Sequence, residues 1–223
     1  MNRMAEAVLW LHIATGAAAL FLGVFNLLFT QKGSRLHVQT GRMFWYSMIA
    51  MAITGIVVAI ERPKAGFVLI GILSMYLVNT GRNALRRPNG KVNGDNRFWF
   101  VVSTICLLAG VALGSYALTV GGRLFGSPAA LYFGAAFDAA IFVALDWRLM
   151  RIGSATGTRR IVDHLWRMIA ALLFAMFALF IANPSVFPTW FTGAALNFVP
   201  PLLVFAAIAY WVLAVNRGWW KRA

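Results

Sequence analysis

The sequence predicts an all-α polytopic membrane protein: a single transmembrane domain over residues 1–223, built from seven spans, with the N-terminus outside and the C-terminus in the cytoplasm. Three observations lead there. The chain is 61% hydrophobic and 12% charged, with a mean hydropathy of +0.76, whereas soluble domains carry about 25% charged residues. Apolar blocks recur at the length of about 20 residues that a helix needs to cross a bilayer, and they are continuous, where barrel strands would alternate. Finally, the basic residues are distributed unevenly between the two sets of connections.

The blocks cover 7–29, 43–60, 66–81, 98–120, 129–146, 163–182 and 194–215. The first is too long for a signal-peptide core and Glu6 interrupts a basic leader, so it reads as a retained span. Within it His12 shares a stripe with Thr15, Gly16, Ala19, Gly23 and Asn26. Small and polar residues on one stripe mark a helix–helix surface, and a hydrogen bond from His12 to a neighbouring backbone carbonyl is the expected structural role. The second span is entered through "LHVQTGRMFWYSM". There His37 lies four residues before Gly41, which permits close helix approach, and Arg42 follows. The third block is short and runs into Asn79, Thr80 and Arg82.

The fourth holds Gly110 and Gly114, a packing pair, and the lone cysteine, Cys106. A single cysteine forms no intrachain disulfide and no cysteine-based metal motif. Near the middle of the fifth lies Asp138, with Gly134 on its face. An ionised carboxylate at that depth is penalised by about 2.5–3.5 kcal/mol, so Asp138 is expected either to carry protons or to stay neutral and hydrogen-bonded. Asp146 ends that block. The sixth opens on "VDHLWRM", in which Asp163 and Arg167 are four apart and can pair, or reach water by extending toward the headgroups. The connection "NPSVFPTWFTG" is uncharged, with Trp190 and Phe191 suited to the outer interface. Pro200 and Pro201 predict a kink or a late start in the last span. The terminal "NRGWWKRA" reads as an interfacial anchor.

Of the 20 Lys and Arg residues, only Arg3, Arg62, Lys64 and Arg123 fall at the N-terminus or in the even-numbered connections. That bias places the C-terminus in the cytoplasm and the N-terminus outside, which is what an odd number of spans requires. The net charge of +14 is spread over short connections that meet anionic headgroups, not gathered into a nucleic-acid surface. The expected partners are the lipid bilayer and other membrane proteins, with no nucleic acid.

The candidate ligand or cofactor site is a polar cluster at the cytoplasmic face: His37, Arg42, Asp146, His164 and Arg167. Three function classes compete. A non-catalytic accessory or small-ligand-binding membrane protein needs nothing more. A b-type haem protein would use His37 and His164 as iron ligands, with haem b as cofactor and Arg42 and Arg167 meeting the propionates. A proton-coupled transporter would use His12 and Asp138. No nucleotide loop, zinc motif or recognisable Ser/His/Asp set is present, which favours the non-catalytic classes.

The segments "LHIATGAAALFLGVFNLLF", "HVQTGRMFWYSMIAMAITG", "LDWRLMR" and "DHLWRMIAALLFA" resemble an uncharacterised family of bacterial multi-pass membrane proteins, a domain of unknown function. The resemblance covers nearly the whole chain. Its motifs fall on His12, on His37, Gly41 and Arg42, and on His164, Trp166, Arg167 and Met168, with Asp146 before them. It implies a seven-helix build in the bacterial cytoplasmic (inner) membrane and no particular activity. The chain departs from the pattern at Val38, where a basic residue is expected.

Overall fold

A computed structural model describes residues 3–193 and 195–218. Its helices are α1 (Arg3–Leu28), α2 (Arg35–Glu61), α3 (Gly66–Arg86), α4 (Gly94–Thr119), α5 (Ala129–Ile152), α6 (Gly157–Met176), α7 (Thr189–Gly193) and α8 (Val199–Asn216). A π-helical turn, Phe177–Ile181, extends α6. A short antiparallel ribbon of β1 (Arg123–Leu124) and β2 (Ser127–Pro128) closes the α4–α5 connection.

Six helical segments are long and apolar enough to cross a membrane: α1, α2, α4, α5, α6 with its π turn, and Leu196–Asn216, which contains α8. Their outward side chains, such as Phe21, Leu108, Phe137 and Leu203, are exposed, and only hydrocarbon solvates such a surface well. The remaining long helix, α3, is not among the six, and its position explains why. It packs against α2, α4, α5 and α6, and most of its residues are buried. A helix wrapped in protein needs no lipid-facing side, so it tolerates Ser74, Asn79 and Thr80, whose side chains bond to carbonyls one turn back.

The connections pair off at two opposite ends of the bundle. At one end Ala65 N donates to Phe125 O at 3.2 Å and Gly66 N to Ser127 Oγ at 3.0 Å. Gly126 there has φ +73°, and a Cβ on it would lie 1.6 Å from the Pro63 carbonyl oxygen; glycine is the residue that permits both. At the other end Val92 N donates to Gly153 O at 3.0 Å and Ala155 N to Gly90 O at 2.9 Å. Helix α3 begins beside the first junction and ends beside the second, α4 runs back from the second to the first, and α5 returns from the first to the second.

Helix boundaries differ from the apolar blocks where capping intervenes. Helix α2 starts at Arg35 because the Ser34 side chain accepts from His37 N, so His37 sits on a helix and not in a loop. Helix α3 continues to Arg86, beyond the expected stop at 81. The Asn93–Asn96 capping box starts α4. Pro200 and Pro201 occupy the first turn of α8, giving the late start and no internal kink. Gly110 and Gly114 let α5 close on α4: a Cβ at Gly110 would lie 2.8 Å from Tyr132 O, and one at Gly114 would lie 2.9 Å from the Phe133 ring. The apolar core centres on α3 and α6, with Leu73, Leu77, Ala171 and Leu172 buried against Ala19, Phe44 and Phe142. Trp219, Trp220, Lys221 and Arg222 of the expected anchor lie outside the described residues.

Candidate functional site

Between α1, α2, α3, α6 and α8, toward the end that carries the Gln31–Ser34 and Arg87–Asn93 connections, lies a cavity of about 430 Å³. That falls within the range of about 300–1,000 Å³ typical of small-ligand sites. His37 and His164 both line it.

Each imidazole is fixed through Nδ1. Around His37, Asn26 is the organiser: its Nδ2 donates to His37 O at 3.3 Å and its Oδ1 accepts from Thr40 Oγ1 at 2.7 Å. Thr30 Oγ1 donates to the backbone and side-chain oxygens of Asn26, at 2.8 and 2.9 Å. With that hydroxyl proton committed, the 3.1 Å contact between Thr30 Oγ1 and His37 Nδ1 assigns the ring proton to Nδ1. Gly41 makes room for the network, since a Cβ there would lie 3.1 Å from Asn26 Nδ2. His164 Nδ1 donates to Gly81 O at 2.9 Å. Gly81 allows α6 to come that close: its missing Cβ would meet Met168 Sδ at 2.9 Å and Arg167 Cβ at 3.2 Å. In both rings Nε2 carries the lone pair, and it makes no hydrogen bond with the described residues.

Arg42, Arg82, Arg86 and Lys32 supply the charge, and among the described residues no Asp or Glu lines the cavity. Lys32 is spoken for. Its Nζ donates to the carbonyls of Asn26, Leu27 and Thr30 at 2.7, 2.9 and 3.3 Å and lies 4.7 Å from the Trp211 ring. A cation there closes the carbonyl end of α1, and burial holds its ammonium below its ordinary pKa. Arg82 stacks on Trp45 at 4.2 Å. Arg42 and Arg86 form no ion pair among the described residues. The remaining walls, including Phe44, Leu165, Ile169, Leu172 and Val215, are apolar. Chemically the cavity is a greasy slot with a cationic rim and two imidazole lone pairs.

Asp146 and Arg167 are not part of it. Arg167 Nη2 meets Asp146 Oδ1 at 2.5 Å, and Tyr76 Oη bridges them, donating to Asp146 Oδ2 and accepting from Arg167 Nη1, both at 2.8 Å. Both charged side chains are 2% exposed. The expected Asp163–Arg167 pair does not form. Arg167 turns inward to α5, where a buried carboxylate and a phenol satisfy it better than a partly exposed helix neighbour, and Asp163 faces Arg87 at 3.5 Å. Nor does Arg167 extend toward water. Of the five candidate residues the cavity therefore takes His37, Arg42 and His164, and leaves Asp146 and Arg167 in a separate buried network. Arg87, 1% exposed, is held below its ordinary pKa by burial, with Asp163 opposing.

His12 makes the backbone bond anticipated for it, Nδ1 to Met51 O at 3.0 Å, and sits over Gly55, whose Cβ would lie 2.9 Å from the ring. Asp138 is half-buried with no hydrogen-bond partner among the described residues. Helix α1 packs chiefly on α2 and α6, while α5 packs on α4 and α3, so the two proposed proton carriers belong to different packing units.

Sequence reasoning passed over Arg82 and Arg86 at the rim, Asn26 and Gly81 behind the imidazoles, and Tyr76. The signal available was "NTGRNALRR", a run read only as the end of a short span and the start of a basic connection. The chain finds no match among protein-family models, curated proteins or solved structures.

Proposed function

We propose that this chain is a seven-pass protein of the bacterial cytoplasmic membrane, C-terminus inside, which binds a small amphipathic anion at its cytoplasmic face and catalyses no reaction. The observation that carries the reading is the cavity: apolar walls, with three arginines at one mouth. Arg42 and Arg86 are exposed and Arg82 half-buried, so they are solvated without a partner. Three guanidinium groups with no acid among the described lining residues nevertheless make the mouth attractive to an anion, and the apolar depth favours a ligand with a hydrocarbon or aromatic body. The seven-pass reading rests on α3 running between the same two loop junctions as α4 and α5. The orientation rests on the bias of Lys and Arg toward one set of connections, which includes those beside the cavity. The same proposal extends to membership of the bacterial family that the histidine motifs resemble.

An anionic fluorescent amphiphile, dansyl-undecanoic acid, is the direct probe. In lipid nanodiscs it should bind saturably at one per chain, and Arg42→Ala with Arg86→Ala should weaken it at least tenfold. Its uncharged methyl ester should bind weakly to both proteins. Equal, unsaturable partitioning of acid and ester into both preparations would refute the reading. For topology, a fluorescent protein fused after Gly218 should light up, and alkaline phosphatase fused there should stay inactive.

A further inference from the structure

We infer that the occupant of the cavity is an iron porphyrin, bound through Nε2 of His37 and His164, with its carboxylates against Arg42 and Arg86. This rests on the reading of the cavity as a site for an amphipathic anion, and adds what the imidazoles require.

Arginines alone explain an anionic head, but not two histidines presented as lone pairs. With Nδ1–H of His164 committed to Gly81 O and Nδ1–H of His37 to Thr30 Oγ1, neither ring has a proton left for a carboxylate or phosphate. What remains, Nε2, offers a lone pair, to a metal or to a hydrogen-bond donor. An Nδ1–H donated to a carbonyl or hydroxyl is also the arrangement that fixes the tautomer and orientation of ligating histidines.

The number of ligands narrows the choice of metal. Among the described residues no group of three His, Cys, Asp or Glu side chains could hold a bare metal ion. Tetrahedral zinc needs three or four protein ligands, whereas porphyrin iron receives four nitrogens from the macrocycle and needs only axial donors. The two histidines come from different helices, α2 and α6, that border one slot. The walls of that slot are largely apolar, with the aromatic rings of Phe44, Trp45 and Trp211 among the lining residues, which suits a flat hydrophobic ring. At the mouth the exposed Arg42 and Arg86 form no ion pair among the described residues, and porphyrin carboxylates would supply partners.

The test is a haemin titration of the full chain in nanodiscs, read by absorbance before and after dithionite. One haemin per chain should bind with a sharp Soret band and, when reduced, the narrow α band of six-coordinate low-spin iron, displacing dansyl-undecanoic acid one for one. His37→Gly and His164→Gly should each lose the low-spin spectrum, and added imidazole should restore it in His37→Gly. That rescue separates a lost ligand from a lost fold. A wild-type protein that binds the dansyl acid but no haemin would overturn the porphyrin assignment and leave the anion site standing. Binding of neither would remove both. Low-spin spectra surviving in both glycine variants would show that other side chains ligate the iron, and would also overturn the assignment.

Discussion

The buried network of Tyr76, Asp146 and Arg167 makes the sharpest stability prediction. Asp146→Ala removes the carboxylate that meets the guanidinium at 2.5 Å and leaves Arg167 with Tyr76 Oη as its one remaining partner within the network. Its Nε is already buried without a partner. Breaking a buried ion pair from one side costs about 3–5 kcal/mol, because the other charge stays behind. At about 2–4 °C per kcal/mol for a chain of this size, the melting temperature should fall by roughly 6–20 °C. Replacing the whole network by apolar side chains, as Tyr76→Phe, Asp146→Leu and Arg167→Met together, strands no charge and should return stability to within about 1–2 kcal/mol of the parent. The chain carries its own reporter. Cys106 on α4 is its single cysteine and is 2% exposed, so a thiol-reactive fluorophore in detergent should light up only as the bundle opens. If the triple variant melts as low as Asp146→Ala, the loss comes from packing and not from an orphaned guanidinium. If Asp146→Ala melts with the parent, the pair is not buried as described.

Three other outcomes follow from named contacts. Asp138→Leu should stabilise the protein in the same thiol assay, by up to about 2.5–3.5 kcal/mol, and Asp138→Asn should leave any uptake or binding activity unchanged; loss of proton-dependent activity in Asn would return Asp138 to a relay. Gly126→Val should lower the melting point by several degrees, since its Cβ would overlap Pro63 O and its φ of +73° is left-handed; an unchanged melting curve would mean that the two connections do not dock. Asn26→Leu should unseat Thr30, Thr40 and the His37 backbone at once, at about 1–3 kcal/mol for the groups left unsatisfied. It should also weaken haemin binding at least tenfold; unchanged haemin affinity would separate His37 from that network.

Much of the bundle was legible because membrane solvation is a one-dimensional filter: a run of apolar residues long enough to cross is visible without knowing its neighbours. The same filter is weak for α3. Hydropathy registers what lipid would accept, and α3, flanked by four helices, answers to Ser74, Thr80 and Asn83 bonding inside protein. The histidines on α2 and α6 could be placed at one end of the membrane by counting spans. That they border one cavity depends on packing around Gly23, Gly41 and Gly81, and the roles of these glycines appear only when the facing side chain is known. Gly23, for example, has no room for a Cβ because Leu172 and Phe44 lie within 3 Å of where it would be.

The charged residues were the hardest to sort, for a physical reason. Arg42, Arg82, Arg86, Arg87 and Arg167 all stand near one end of the bundle, and by sequence Arg82, Arg86 and Arg87 read only as headgroup contacts while Arg42 and Arg167 read as members of one site. Their partners divide them. Arg167 and Arg87 are almost wholly buried and face Asp146 and Asp163, so their charge is matched within the fold and joins α3, α5 and α6. Arg42 and Arg86 face a cavity with no acid among its described lining residues. Helix spacing favoured Asp163 with Arg167, a pair worth a few tenths of a kcal/mol on an exposed helix, but a phenol and a carboxylate on neighbouring helices offer a desolvated guanidinium far more. Once those two internal pairs are taken out, the three of these five arginines that remain, Arg42, Arg82 and Arg86, line one slot together with His37 and His164. That residue of unmatched chemistry, more than any single motif, is why a ligand is expected there.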